Sequence, residues 1–184
     1  MVLVDSVTGC GKEPGGMLDD HPPLKRHESL QPFSRDHFLA LRVANHLLQA
    51  VNSDIAARLK AREEFLAAWR TEMESHFNEE EQLLIPLMLS EETRRMRDDH
   101  ANIRLLAAQG VSTGSTDDPG MEWYASLGRM LHDHVRWEER SLFGAIQNRA
   151  AAEQLEVIGR ATAEIERQRP GIRKRGPARN KKST

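Results

Sequence analysis

Long apolar stretches are missing from this chain of 184 residues, and it contains one cysteine. The single cysteine, Cys10, excludes an internal disulfide framework. No apolar run approaches the roughly 20 residues that a membrane-spanning helix needs. The apolar start, Met1 to Val4, meets Asp5 too soon for a signal peptide. We therefore expect a cytoplasmic protein without a membrane partner.

Aromatic residues are also scarce, at 5% of the chain, and strand-like alternation of apolar and polar residues is missing. We therefore expect Leu, Ala, Ile and Met to form most of the core. Their recurrence every three to four residues indicates amphipathic helices. A chain of this length suits one domain with a substantial core. The predicted fold class is all-α.

Acidic charge is lacking near the end of the chain. Residues 170–184 contain six basic side chains and no acidic one, although the formal charge of the whole chain is −2. The remainder is therefore acidic, which argues against nucleic acid as its main ligand. We predict a disordered basic tail over residues 169–184, which could bind an acidic partner or nucleic acid weakly. Residues 1–33 are predicted to be a loose lead-in, because glycines and prolines replace periodic apolar positions there.

Turn and capping signals divide residues 34–168 into four long helices and a shorter C-terminal one. Serine favours the cap of a helix, proline ends or kinks a helix, and glycine clusters mark loops. Four helices joined by short loops predict an up-down-up-down four-helix bundle with a short additional C-terminal helix. The signals are the cap Ser34, the turn Asn52-Ser53-Asp54, the breaker Pro86, the cap Ser90 and the glycine-rich loop 110–120.

Two of the predicted helices carry a histidine followed four residues later by a glutamate, His76 with Glu80 and His134 with Glu138. Each pair lies on one helix face, and leucines at helical spacing indicate that this face points inward. Burying such residues without partners costs several kcal/mol, and a metal ion would satisfy both. The apolar positions around the second pair are Leu127, Met130, Leu131, Leu142 and Ala145.

The other two long helices also place a histidine on their apolar stripe. In an up-down bundle, residues at one height lie equally far from the turn that joins their helices. The midpoints between the four inward positions fall near the predicted turns, so we expect one layer to collect them. One inward histidine is more often a satisfied core residue, but four around two carboxylates require a cation. The predicted layer contains His37, His76, Glu80, His100, His134 and Glu138.

Other polar residues are assigned to positions outside this layer. His46 and His132 are out of helical phase with it and are predicted to face away. Metal-bound histidines usually need a partner that orients the imidazole. The candidates for that role are Asp36, Asp99 and Asp133.

The layer residues and their neighbours resemble the hemerythrin-like, HHE cation-binding domain, over about residues 30–165. The resemblance implies a four-helix bundle with two non-haem irons. It also implies that Glu80 and Glu138 bridge the irons and that the four histidines are terminal ligands. The motifs that carry it are His37 after Ser34-Arg35-Asp36, the stretch His76-Phe77-Asn78-Glu79-Glu80, His100, and the stretch His134-Val135-Arg136-Trp137-Glu138.

Two positions depart from the oxygen-carrying hemerythrins that the family includes. Arg104 stands where those carriers have a second histidine in helix 3. Glu138 follows His134 by four residues, whereas the carriers have five. Glu139 occupies the five-residue position, so it remains an alternative ligand.

The predicted donors suit iron, manganese or zinc, and carboxylate bridging favours an iron or manganese pair. Four histidines, two bridging glutamates and a bridging oxygen would leave about two positions open on two six-coordinate ions. We predict a binding protein for O2, peroxide or nitric oxide, in oxygen or redox sensing or in iron handling. One alternative is a di-iron enzyme that reduces peroxide or nitric oxide or repairs damaged iron centres. Another is an interaction module with a structural metal.

Overall fold

The structure, a computed structural model, describes residues 25–169. Within that range the chain forms seven α-helices and no strand, which confirms the all-α class. No helix in the described range is long and apolar enough to cross a membrane. Most of the predicted lead-in and basic tail, residues 1–24 and 170–184, lies outside the described residues. The helices are α1 (Gln31–Ala50), α2 (Ile55–Ala68), α3 (Glu74–Leu83), α4 (Ser90–Ser112), α5 (Met121–Trp137), α6 (Phe143–Arg149) and α7 (Ala152–Gln168).

Short non-α segments connect some of these helices into longer rods. The π-helical segment Trp69–Met73 joins α2 to α3, and the π-helical segment Glu138–Leu142 joins α5 to α6. Four rods result, namely α1, α2 with α3, α4, and α5 with α6, and they correspond to the four predicted long helices. The predicted breaks are also present. Asp54 caps α2 by accepting a hydrogen bond from the Ala57 N–H at 2.8 Å, and a 3-10 turn, Ile85–Leu87, follows α3.

Both predicted serine caps are wrong. α1 begins before Ser34, with Pro32 in its first turn, where a missing N–H costs nothing. α4 begins at Ser90, so the capping position belongs to Leu89. The Glu92 side chain accepts a hydrogen bond from the Leu89 N–H at 2.8 Å, which satisfies a free donor at the helix start. Proline and glutamate, rather than the serines, therefore define these two starts.

Two apolar clusters fill the described interior, and along each rod the predicted layer lies between them. Leu, Ala, Ile and Met provide most of the buried apolar residues, as expected, and most of the scarce aromatic residues are buried there as well. The largest fully buried side chains include Tyr124, Phe33, Phe65, Phe77 and Phe143. The first cluster includes Ala44, Leu47, Phe65, Trp69, Phe77, Ile103, Trp123, Tyr124 and Leu131. The second contains Leu30, Phe33, Leu84, Met96, Leu142, Phe143, Ile146 and Ile158.

α7 packs against a 3-10 turn, Glu28–Leu30, that precedes α1. Gly159 permits the close approach, because a Cβ there would lie 2.9 Å from the Ser29 hydroxyl oxygen. After α7, the Arg169 side chain binds Asp36 of α1 at 2.6 Å and Glu79 of α3 at 2.5 Å. Arg169, the first residue of the predicted basic tail, is therefore held by two of the four rods.

Candidate metal centre

Each rod contributes one histidine to a single buried layer. The four histidines are at most 4% exposed, and Glu80 and Glu138 are fully buried. Glu80 follows His76 by one turn of α3, and Glu138 begins the π-helical segment after α5. All six residues that the sequence predicts for the layer are therefore brought together: His37, His76, Glu80, His100, His134 and Glu138.

His37 and His76 form one half of the layer with one oxygen from each glutamate. The His37 Nε2 atom lies 3.4 Å from Oε1 of Glu80 and 3.0 Å from Oε2 of Glu138. The His76 Nε2 atom lies 3.0 Å from the same Glu80 Oε1. We refer to these four donors as the His37–His76 half.

His100 and His134 form the other half, with the remaining oxygen of each glutamate. Their Nε2 atoms lie 3.0 Å apart. Oε2 of Glu80 is 3.5 Å from the His100 Nε2, and Oε1 of Glu138 is 3.4 Å from the His134 Nε2. Each glutamate therefore directs one oxygen to the His37–His76 half and the other to this His100–His134 half.

The donors of the layer fit cations better than they fit one another. Among the described residues, both ring nitrogens of His76, Oε2 of Glu80 and both oxygens of Glu138 are buried without a hydrogen-bond partner. Each such atom costs about 1–3 kcal/mol if nothing satisfies it. Donors at right angles around a metal, with bonds of about 2.1 Å, lie about 3 Å apart, close to the separations seen here. Two groups that share Glu80 can each hold an ion: His37, His76 and Glu80, and Glu80, His100, His134 and Glu138.

A carboxylate faces the outer nitrogen of every layer histidine. Such contacts fix the ring orientation and the tautomer of a metal-bound imidazole. These four outer carboxylates lie just beyond the layer, and none of them is fully buried. The contacts of Nδ1 are His37 with Glu139 at 2.7 Å, His76 with Asp36 at 3.4 Å, His100 with Glu81 at 2.7 Å, and His134 with Asp99 at 3.3 Å.

Two of the three predicted orienting residues, Asp36 and Asp99, thus contact layer histidines, whereas Asp133 does not. Asp133 instead lies 3.1 Å from Nδ1 of its neighbour His132, which faces away from the layer as predicted. His46 also lies outside the layer and contacts Glu64 at 2.7 Å.

Sequence reasoning missed the orienting role of Glu81, and it named no histidine partner for Glu139. Glu81 and Glu139 each follow a layer glutamate directly, so the doubled Glu-Glu pattern was the available signal. Glu139 is the predicted alternative to Glu138 as a ligand. It contacts the outer nitrogen of His37, and Glu138 provides the oxygens inside the layer.

Carboxylates raise the pKa of His37, His76 and His134 in the metal-free protein. Burial lowers the pKa of His76, but the charge of Glu80 and the contact with Asp36 outweigh it and raise the pKa to about 9. Burial likewise opposes protonation of His37, yet its bonds to Glu138 and Glu139 raise its pKa well above the ordinary value. Because a metal ligand must be a neutral imidazole, cations and protons compete for this layer.

The π-helical segment keeps the fourth rod correctly oriented at the layer. His134, Glu138, Leu142 and Ile146 are buried at every fourth position. A regular helix turns about 40° between such positions, so the stripe would leave the interior. The wider turn of the π-helical segment removes this drift. Ala145, predicted to point inward, is for the same reason only half-buried.

A helical unit whose rods direct histidines and glutamates into one layer is the architecture of a metal-binding helical domain. Residues 33–119 match the family described as the hemerythrin HHE cation binding domain. Over these residues the chain matches this family, which confirms the resemblance seen in the sequence for that part of the chain. His134 and Glu138 lie beyond the matched residues and come from the fourth rod. No curated protein and no solved structure matches the chain.

Proposed function

We propose that the layer holds two non-haem iron ions bridged by Glu80 and Glu138. His37 and His76 are the terminal ligands of one ion, and His100 and His134 are those of the other. The observation that carries this proposal is the placement of the glutamate oxygens, one in each half for both side chains. A single ion would leave the donors of the second half buried and unsatisfied.

The proposal includes an up-down-up-down course of the four rods. At one end, Arg149 of α6 donates to the Leu87 carbonyl at 2.9 Å and to Glu92 of α4 at 2.8 Å. At the other end, Arg58 of α2 donates to Asp118, in the loop before α5, at 2.7 Å. Alternating rod directions bring the start of α4 beside the end of α6, and the start of α2 beside that loop.

A cavity beside the His37–His76 half supports the proposal that the protein binds a small ligand. Its volume is about 10 Å³, enough for one water-sized molecule. Five of its nine lining residues are apolar, which disfavours charged species because they would lose their hydration on entry, and Asp36 and Glu72 at its edge repel anions. An uncharged ligand such as O2, hydrogen peroxide or nitric oxide therefore suits the cavity. The apolar residues that line it are Leu39, Ala40, Met73, Phe77 and Val135.

When bound, two irons supply reversible redox chemistry to such a ligand. The chain holds the donors, excludes bulk water and orients the imidazoles through the outer carboxylates. The role that follows is oxygen or redox sensing, or iron handling, in the cytoplasm.

The second candidate is an enzyme that reduces peroxide or nitric oxide or repairs damaged iron centres. Arg104 favours it, because its side chain binds Glu81 at 2.7 Å and Asn78 at 2.9 Å and adds no donor to the layer. The His100–His134 half then keeps a position that a third histidine would fill. Stopped-flow absorption after mixing reduced protein with air or with peroxide separates reversible binding from turnover.

Metal analysis of the purified full-length protein tests the centre itself. Protein made with ample iron should contain about two irons per chain, and His76→Ala or His134→Ala should lower that content strongly. His46→Ala and His132→Ala are the controls, because both side chains lie outside the layer. Wild-type protein that stays metal-free, with the same melting temperature whether or not iron is added, would contradict the proposal.

A further inference from the structure

An arginine lies next to each of the four outer carboxylates. On the His100–His134 half, both arginines belong to α4. Arg104 is 2.7 Å from Glu81, and Arg95 is 3.7 Å from Asp99, one turn further along the same helix. Support for this half therefore comes from within the rods that supply its ligands.

On the His37–His76 half, both arginines come from segments that flank the four rods. Arg26, ahead of the 3-10 turn, donates to the main-chain carbonyl and to Oε2 of Glu139, both at 2.7 Å. Arg169, after α7, donates to Asp36 at 2.6 Å and to Glu79 at 2.5 Å. The N-terminal and C-terminal flanks thus converge on the carboxylates that orient His37 and His76.

The flanking arginines are also the more buried pair. The exposed fractions of their side chains are 11% for Arg26 and 17% for Arg169. The corresponding values are 32% for Arg104 and 49% for Arg95. Charge-assisted hydrogen bonds gain strength where water is excluded, so the flanking pair holds its carboxylates more firmly.

Further contacts connect both flanks to the rods near the His37–His76 half. The Arg26 guanidinium lies 4.8 Å from the centre of the Phe143 ring, which stacks on His37 with centroids 5.5 Å apart. The His27 N–H donates to the Gln147 side chain of α6 at 3.2 Å. α7, which carries Arg169 at its end, packs against the turn that follows Arg26.

We propose that Arg26 and Arg169 are positioning residues that fix the His37–His76 half, so that the two flanks set how firmly the ion in that half is retained. The inference rests on the proposed metal centre. An imidazole keeps its ligating orientation only while its outer carboxylate is held. Without Arg169, Asp36 is free to turn toward solvent and His76 loses its partner. Without Arg26, Glu139 and His37 are affected in the same way.

Iron release from the full-length, iron-loaded protein to an excess of chelator tests this inference. Arg169→Gln, Arg26→Gln and the double variant should speed the release of one of the two ions by about tenfold or more, and leave the other unchanged. Arg35→Gln is the matched control. Arg35 also joins α1 to α7, through Glu166, but its pair is exposed and touches no outer carboxylate.

Two further variants show whether Arg169 acts through Asp36. Arg169→Gln should add little to the release rate of Asp36→Asn, because both changes free the same imidazole. Arg169→Lys keeps the positive charge but lacks the planar guanidinium group that can bind two carboxylates at once. Its iron release rate should therefore lie between those of the wild type and Arg169→Gln. The melting temperatures of the metal-free variants show how far each change destabilises the fold, and acceleration confined to one of the two ions separates positioning from general destabilisation.

The outcomes separate the two proposals. Wild-type protein that binds no iron overturns the metal centre and this inference together. Wild-type protein with two irons, combined with Arg169→Gln release as slow as that of Arg35→Gln, overturns the inference alone. Equal acceleration of both ions, or fully additive effects of Arg169→Gln and Asp36→Asn, also overturns it.

Discussion

The two halves of the layer have the same inner donors but different support. Each half contains two imidazole Nε2 atoms and one oxygen from each shared glutamate. Behind the His100–His134 half, the supporting arginines belong to one of the ligand-bearing helices. Behind the His37–His76 half, they come from outside the four rods. In the proposed centre, equal inner donors therefore do not imply equal retention of its two ions.

Sequence separation explains part of this difference. Arg95 and Asp99 are one helical turn apart, so their contact forms with α4 itself. Arg26 and Glu139 are 113 residues apart, and Arg169 and Asp36 are 133 residues apart. These contacts form only when both flanks dock on the rods, and each closes a loop of more than a hundred residues, which costs chain entropy. The arginine contacts of one half thus lie within α4 or between rods that follow each other in the chain, as for Arg104 and Glu81, whereas those of the other half join distant parts of the chain.

Glu80→Ala should have the largest effect, because it removes an oxygen from both halves at once. Iron content should fall from about two ions per chain to nearly none, whereas His37→Ala should lower it by about one. Metal analysis of protein purified with ample iron measures both values. Glu74→Ala, an exposed change on the same helix, should leave the content unchanged. If Glu80→Ala retained as much iron as His37→Ala, the glutamate would not link the halves.

Helical periodicity explains why the inner donors were predictable from the sequence. Four residues separate His76 from Glu80 and His134 from Glu138. Each pair therefore shares one helix face, independently of how the helices pack. The four-rod layout then required turns at distances that the glycine, proline and Asn-Ser-Asp signals supplied. The all-α class and the layer of six residues therefore followed from local patterns.

The remaining features depend on tertiary contacts that leave no periodic signal. The local sequence places Arg169 in the predicted basic tail because its neighbours are basic, yet its side chain binds Asp36 and Glu79 on two different rods. The π-helical segment at Glu138 shifts the inward stripe from Ala145 to Ile146, which a fixed period of 3.6 residues does not anticipate. Proline and a first-turn glutamate, rather than serine, define two helix starts.

A second prediction concerns pH and acts on the His37–His76 half of the metal-free protein. The pKa of His76 is about 9 in the fold, above its value of about 6.5 in an unfolded chain. Protonated His76 therefore stabilises the fold fully below about pH 6.5, and this contribution is lost as the pH rises through about 9. The loss of unfolding free energy should reach at most about 3 kcal/mol. Urea unfolding at several pH values measures it.

The matched variant and the iron-loaded protein complete this test. His76→Gln should reduce the pH dependence of the metal-free protein, because its side chain does not titrate, and leave the part that comes from His37. Iron-loaded protein should show the opposite trend at low pH, losing metal as protons displace it. Metal-free wild-type protein that gained stability between pH 6.5 and 9 would show that charged His76 does not support this half.

The smallest effect is expected for Arg95→Ala, on the His100–His134 half. Arg95 is half-exposed, lies 3.7 Å from Asp99, and places its guanidinium 4.4 Å from the centre of the Trp137 ring. Exposed ion pairs and exposed cation–π contacts each contribute about 1 kcal/mol or less. Asp99 should keep its 3.3 Å contact with His134 after the change, so iron release from either half should not alter measurably.

Chemical denaturation measures the change in stability, and chelator-driven release measures the retention of iron. Arg94→Ala is the control for both, because Arg94 is an exposed neighbour paired with Glu91. Release as fast as that expected for Arg169→Gln would mean that burial of the supporting arginine does not decide retention, and the two halves would then be supported alike.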